Sequence, residues 1–153
     1  MLRVSILKNF TVWIVGGWDG YQDLDTTEFI AQDFSSNQGP KLPFSIKDHG
    51  TIRFHGNFVL IFGGIQNGLR SNCSWIANPL SGSKIKPGPN LNFIRHQHSC
   101  GKFKLNGKLY VIVAGGRNEN DEVLDTTEIF DCNSTQSKWT IGKSLSARST
   151  SAC

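Results

Sequence analysis

The residues with the most chemical potential are histidines. His96-Gln97-His98 sets two imidazoles at i and i+2, which share a face if the segment is a strand. Joined by His49 or His55, such a pair could hold a transition metal. No carboxylate partner accompanies them, so the pattern reads as structural or hydrogen-bonding and no metal ligand is assigned. Tyr21 and Tyr110 are the only phenols, and Tyr110 sits in an apolar run, as Phe58 does, where it is expected in the core. The four cysteines, Cys73, Cys100, Cys132 and Cys153, form no Cys-Xaa-Xaa-Cys and show no zinc spacing. They allow three pairings. Nothing obviously brings two of them within the roughly 4.4–6.8 Å Cα separation that a disulfide needs, so free thiols are expected. There is neither a Gly-Xaa-Ser-Xaa-Gly elbow nor a phosphate-cradling glycine loop. No catalytic residue and no cofactor is therefore assigned.

What is left is basic chemistry suited to binding. Lys47, Arg95, His96 and Arg148 recur just ahead of predicted strands, and Arg70 and Arg117 lie in polar loops. Arginine suits carboxylates because its planar fork donates two parallel hydrogen bonds. These six are the candidate binding residues, for an acidic protein or peptide. The competing reading makes Arg95 and Arg148 internal ties to backbone carbonyls.

The elements that must position them repeat. An apolar run ending in Gly-Gly appears as Val12 through Gly16-Gly17, as Val59 through Gly63-Gly64, and as Val111 through Gly115-Gly116, with the pairs 47 and then 52 residues apart. A period near fifty is a fold-level signal. Leu24-Asp25-Thr26-Thr27-Glu28-Phe29 recurs as Leu124-Asp125-Thr126-Thr127-Glu128-Ile129, with Cys73-Ser74-Trp75-Ile76 at the same offset in the middle copy. Gly39-Pro40-Lys41-Leu42 recurs as Gly88-Pro89-Asn90-Leu91 and as Gly142-Lys143-Ser144-Leu145, and Phe44 through His49 parallels Phe93 through His98.

Each unit reads as four short strands. In the third copy they are about 98–104, then 109–114 after the tight-turn dipeptide Asn106-Gly107, then 126–130, and a last strand carrying Trp139 and Ile141. The unbroken apolar run 109–114 predicts burial on both faces. Gly-Gly ends that strand where a side chain would obstruct a close backbone approach. Asp131-Cys132-Asn133-Ser134 is turn chemistry. No segment carries a sustained helical period with caps.

The order of hydrophobic run, Gly-Gly, polar loop, Glu-bearing strand, turn, Trp and Arg resembles the kelch repeat. Gly115, Gly116, Glu128, Asp131, Trp139 and Arg148 match best. The first copy keeps Gly16, Gly17 and Glu28 without a clear Trp. The second keeps Gly63, Gly64, Pro79 and Arg95, but has Trp75 where Glu is expected and Ile85 where Trp is expected. The resemblance implies an all-β chain forming a partial β-propeller of about three four-stranded blades. The repeats run about 2–45, 46–94 and 95–147, with the start of a fourth at 148–153. Closed propellers have about four to eight blades. The chain is accordingly expected to be a fragment of a longer propeller; the rival is a short chain that closes by oligomerising. The resemblance also implies a protein–protein interaction module rather than an enzyme, as in substrate receptors of ubiquitin-ligase adaptors or actin-associated scaffolds. The alternative is a secreted propeller glycoprotein or a fragment similar to the copper oxidases.

Composition sets softer limits. The net charge is +4, with Lys and Arg scattered, so no nucleic-acid surface is assigned. No apolar stretch reaches the length of a membrane span. Residues 1–7 do not make a convincing signal peptide. The sequons at Asn9, Asn72 and Asn133 lean mildly toward secretion, and the compartment is open, with the cytoplasm slightly favoured.

Overall fold

The computed structural model describes residues 3–7, 11–134 and 137–146. Arg148 and Cys153 lie outside them. The chain is all-β, in four antiparallel sheets, none closed on itself. β1 (Arg3–Ile6), β2 (Val12–Val15), β3 (Thr27–Ile30) and β4 (Ser36–Gln38) make the first sheet in sequence order. β5 (Ile46–Lys47) leads into β6 (Gly50–His55) and β7 (Phe58–Phe62). A short hairpin, β8 (Ile65–Gln66) and β9 (Leu69–Arg70), precedes β10 (Ser74–Ala77) and β11 (Lys86–Pro87). β6, β7, β10 and β11 form the second four-stranded sheet, and β5, β8 and β9 form a small sheet of their own. The third four-stranded sheet is β12 (Ser99–Leu105), β13 (Lys108–Ala114), β14 (Thr127–Asp131) and β15 (Trp139–Ile141), again in sequence order.

The repeat is written in backbone hydrogen bonds as well as in sequence. Gly16, Gly63 and Gly115 donate to the carbonyls of Thr26, Cys73 and Thr126; Gly39, Gly88 and Gly142 donate to those of Thr27, Ser74 and Thr127. Leu42, Leu91 and Leu145 donate to Asp25, Asn72 and Asp125. The hydroxyls of Thr27, Ser74 and Thr127 donate to the carbonyls of Pro40, Pro89 and Lys143, at 2.8, 2.6 and 2.8 Å. A hydroxyl is thus required at this position in every unit, because each ties the third strand to the segment leaving the fourth. Register confirms the aligned departures: Trp75 pairs with Ile61 as Glu128 pairs with Val113 and Glu28 with Ile14.

The sheets pack face to face in chain order. β6 lies against β1 on one side and β12 on the other. One core, between the first two four-stranded sheets, joins Trp13, Val15, Phe44, Ile46, Val59 and Ile61; the other joins Leu60, Phe62, Leu91, Val111, Val113, Phe130 and Trp139. β7 supplies alternate residues to each, as period-2 geometry requires. Trp139 sits 5.1 Å from the Phe62 ring and 5.3 Å from Phe130, distances typical of favourable aromatic pairs.

Burial on both faces is therefore a property of the middle sheet. β13 was expected to share it and instead alternates between buried and half-exposed positions, since among the described residues its sheet packs against a neighbour on one side only. Tyr110, expected in the core, is half-exposed and stacks on Phe103 at 5.4 Å; its counterpart Phe58 is exposed too. The His96-Gln97-His98 segment is not a strand. Gln97 has φ 53°, and β12 begins only at Ser99, so the expected shared face for the two imidazoles does not form.

Candidate binding surface at the glycine loops

The three loops that follow the glycine pairs are linked into one surface by the lead-in segments between sheets. Each lead-in runs past the glycines of the preceding sheet: Gly17 N–H donates to Ile46 O and Gly64 N–H to Arg95 O, both at 2.8 Å. At Gly64 (φ 80°) an added Cβ would stand 2.5 Å from Lys47 O and 2.6 Å from His49 Cβ. At Gly116 (φ 89°) it would stand 2.6 Å from His96 O. Gly64 and Gly116 are thus needed for both their backbone conformation and the passing chain.

These bonds fix the register of the candidate residues. Lys47 pairs with Ile65, and His96 with Arg117, so Lys47 and His96 are counterparts. The counterpart of Arg95 is Ile46, not Lys47. Lys47 Nζ lies 2.7 Å from Asp23 Oδ1 and 4.4 Å above the Trp18 ring, tying the first glycine loop to the lead-in of the second sheet. β5 then continues into the β8–β9 hairpin of the second loop, whose turn is Asn67-Gly68, with φ 48° and 79°. Arg70 closes the link to the third loop. Its NH2 is 2.7 Å from Asp121 Oδ2 and its Nε 3.1 Å from His96 Nε2. His96 Nε2 is also 3.2 Å from Asp121 Oδ1 and cannot serve both neighbours. Burial, and then Arg70, lower the His96 pKa, so the neutral ring accepting from Arg70 is the consistent state. Arg117 NH1 donates to the backbone carbonyl of Asp121.

Arg95 does not belong to this surface. It is fully buried, and its guanidinium is spent inside the third sheet: NH2 lies 2.9 Å from Glu128 Oε1 and 3.1 Å from Thr126 Oγ1, and NH1 2.7 Å from Gly115 O. Glu128 Oε2 also accepts from the Asn92 N–H at 2.6 Å and the Asn92 side-chain amide at 2.7 Å, and its Oε1 from the Phe93 N–H at 3.2 Å. Burial lowers the Arg95 pKa and Glu128 opposes that shift. The expectation that Arg95 contacts a partner is corrected: a side chain with this many internal bonds and no exposed surface is a structural tie. His96, 3% exposed, supports Arg70 and presents almost no surface of its own. Arg148 lies outside the described residues. Of the six expected binders, Arg70 is exposed, and Lys47 and Arg117 are half-exposed.

The surface also has an apolar part, and of it the sequence reading missed Leu69. Tyr21 is 92% exposed, Leu69 74% and Trp18 45%, all three on the glycine loops beside Lys47, Arg70 and Arg117. The Asn67-Gly68 dipeptide was the signal that could have found the β8–β9 hairpin and its exposed leucine. Among the described residues, no group of three or more His, Cys, Asp or Glu side chains could hold a metal, and no disulfide joins Cys73, Cys100 and Cys132 to one another. No helix among the described residues is long and apolar enough to cross a membrane. No protein-family model and no curated protein matches the chain.

Proposed function

We propose that the chain is a segment of a kelch-type β-propeller that binds a partner protein through its glycine loops, with an acidic stretch of the partner engaging Arg70 and Arg117. The observation that carries this reading is the surface itself: three loops from three equivalent sheet positions, cross-linked by Lys47–Asp23 and Arg70–Asp121, present Trp18, Tyr21 and Leu69 among basic side chains. Exposed aromatics beside arginine are the composition of interface hot spots. The Arg70–Asp121 contact lies in solvent, with side chains 37% and 54% exposed. Such pairs contribute about 0–1 kcal/mol, so a partner carboxylate can replace Asp121 at little cost. Three four-stranded antiparallel units of equal register, packed in chain order, support the propeller part of the reading.

The test is a peptide-display selection on the wild-type chain, with the winners remeasured against the Arg70→Ala/Arg117→Ala variant. Acidic peptides are expected, binding about tenfold or more weakly to the variant and weakening with salt. Winners without acidic residues, or with equal affinity for both proteins, would count against it.

A further inference from the structure

The core between the first two four-stranded sheets lacks aromatic side chains that the next core has. Counted from the glycine pairs, Trp13 and Leu60 are counterparts. Ala77 pairs with Val59 as Phe130 pairs with Val111, so Ala77 and Phe130 are counterparts. Trp75 pairs with Pro87 and Ile76 with Lys86, which sets Ile85 one step on, opposite Ala77, as Trp139 stands opposite Phe130. Between the second and third sheets Leu60 therefore shares a core with Phe130 and Trp139. Between the first and second, Trp13 shares one with Ala77 and Ile85. Two aromatic side chains are lost and one is gained.

The space left over is a cavity of about 200 Å³, walled by Trp13, Leu42, Ala77 and Ile85. An apolar cavity of roughly 150 Å³ already takes a benzene ring. Trp13, Leu42 and Ala77 are buried, whereas Lys41, Ser83 and Lys84 are exposed at its rim. The described lining holds no Asp or Glu, so the rim is basic. Lys41 also meets Asp25 at 3.1 Å, in an exposed pair that a second carboxylate can share. Two buried polar atoms of lining residues have no hydrogen-bond partner: Trp13 Nε1, on a side chain 1% exposed, and Asn78 Oδ1. One is a donor and the other an acceptor, and leaving either unmade costs free energy. Trp139 Nε1 is unpartnered as well, but its ring is packed among Phe62 and Phe130 rather than beside open space.

We propose that this cavity binds a small free aromatic acid, a single ring carrying a carboxylate and a hydroxyl. The ring takes the place of the missing aromatic side chain against Trp13, Ala77 and Ile85. The carboxylate meets the lysines of the rim. The hydroxyl accepts from Trp13 Nε1–H and donates to Asn78 Oδ1, the two groups that the protein leaves unmatched. The site uses no residue of the glycine loops and stands whether or not those loops bind a partner.

The probe is para-hydroxybenzoate, with benzoate and phenol as comparators. Calorimetry gives affinity, and the indole N–H resonance of Trp13 with the side-chain amide of Asn78 gives location. Saturable binding that shifts both signals is expected. Benzoate lacks the hydroxyl and is expected to bind about threefold or more weakly. Lys41→Ala/Lys84→Ala alters exposed side chains, so the fold is expected to hold; it should weaken the acid about threefold or more and leave phenol unchanged. Ala77→Phe restores the ring found at Phe130 and is expected to weaken binding about tenfold or more. Where Ala77→Phe does not fold, as circular dichroism would show, the lysine variant decides. The absence of a saturable shift up to about 10 mM would overturn the proposal. So would benzoate bound as tightly as the hydroxy acid, unchanged affinity in the lysine variant, or unchanged affinity in a folded Ala77→Phe.

Discussion

Replacing Arg95 and Glu128 singly and together measures what the buried pair contributes. Both side chains are 0% exposed and 2.9 Å apart. Arg95→Met leaves a carboxylate in the interior with only the Asn92 and Phe93 donors, and Glu128→Met leaves a buried guanidinium facing carbonyls and a hydroxyl. Each single change strands one charge, at a cost of about 3–5 kcal/mol. The double change strands none. It does remove the acceptor of the Asn92 and Phe93 N–H groups. Asn92 is exposed, so water replaces its partner, and the half-buried Phe93 N–H is left at a cost of about 1–3 kcal/mol. The double variant is therefore expected to lose no more than either single, a coupling of about 3 kcal/mol or more. Urea unfolding followed by tryptophan fluorescence reads all four proteins. Additive losses, or a single change costing under about 1 kcal/mol, would refute the claim that the pair acts as a buried unit.

Two further outcomes follow from the same region. His49 and His98 are fully buried; burial first, then nearby Arg3 for His49 and Arg95 with Arg3 for His98, holds His49 down to about 3 and His98 well below 6.5. Below about pH 6.5 the unfolded chain takes protons that the folded chain refuses, so stability is full above that pH and falls beneath it by about 1.4 kcal/mol per unit for each ring. Urea midpoints measured from pH 7 to 5 should show this fall, halved in His49→Leu; an unchanged slope would count against it. Gly116→Ala puts a methyl 2.6 Å from His96 O at φ 89°, whereas Gly107→Ala at φ 77° meets open space. The Gly107 change should cost about 1–2 kcal/mol and the Gly116 change clearly more, with weakened binding at Arg70, since His96 supports that side chain.

The sequence carries the strands because period, glycine pairs and turn dipeptides are local. The four-strand unit and the counterpart positions of Glu28, Trp75 and Glu128 were legible in that way. Burial was not, because it depends on which sheet lies beside which. Leu-Asp-Thr-Thr-Glu is spelled identically at 24–28 and 124–128, yet one glutamate is exposed and the other sealed. The difference is the lead-in that covers Glu128, which begins more than thirty residues earlier in the chain. Arg95 reads from sequence both as a binder and as an internal tie to backbone carbonyls; its bonds to Gly115 O and Thr126 O decide for the tie, and the Glu128 acceptor is the part that spacing does not announce. The parallel of Phe44 through His49 with Phe93 through His98 already set Lys47 opposite His96, and the bonds to Ile65 and Arg117 bear it out.

The three units thus treat one structural position in three ways: an ion pair at Arg95–Glu128, an apolar contact around Ile46 and Trp75, and an exposed carboxylate at Glu28. Stability alone does not choose between the first two, since a buried ion pair and a well-packed apolar replacement are often equivalent in free energy. Direction does. The apolar lead-in of the middle sheet is gripped from both sides, by Trp13 and Val15 of the first sheet and Val59 and Ile61 of its own, so it needs no directional bonds to hold its register. The lead-in of the third sheet passes Glu128 with Asn92 exposed and Phe93 half-exposed, and the carboxylate supplies the fixed acceptors that packing does not. That register sets where His96 falls, and His96 sets where Arg70 points. The buried pair is on this argument a positioning device for the loop surface, and Glu28 is the same device with its acceptors turned outward.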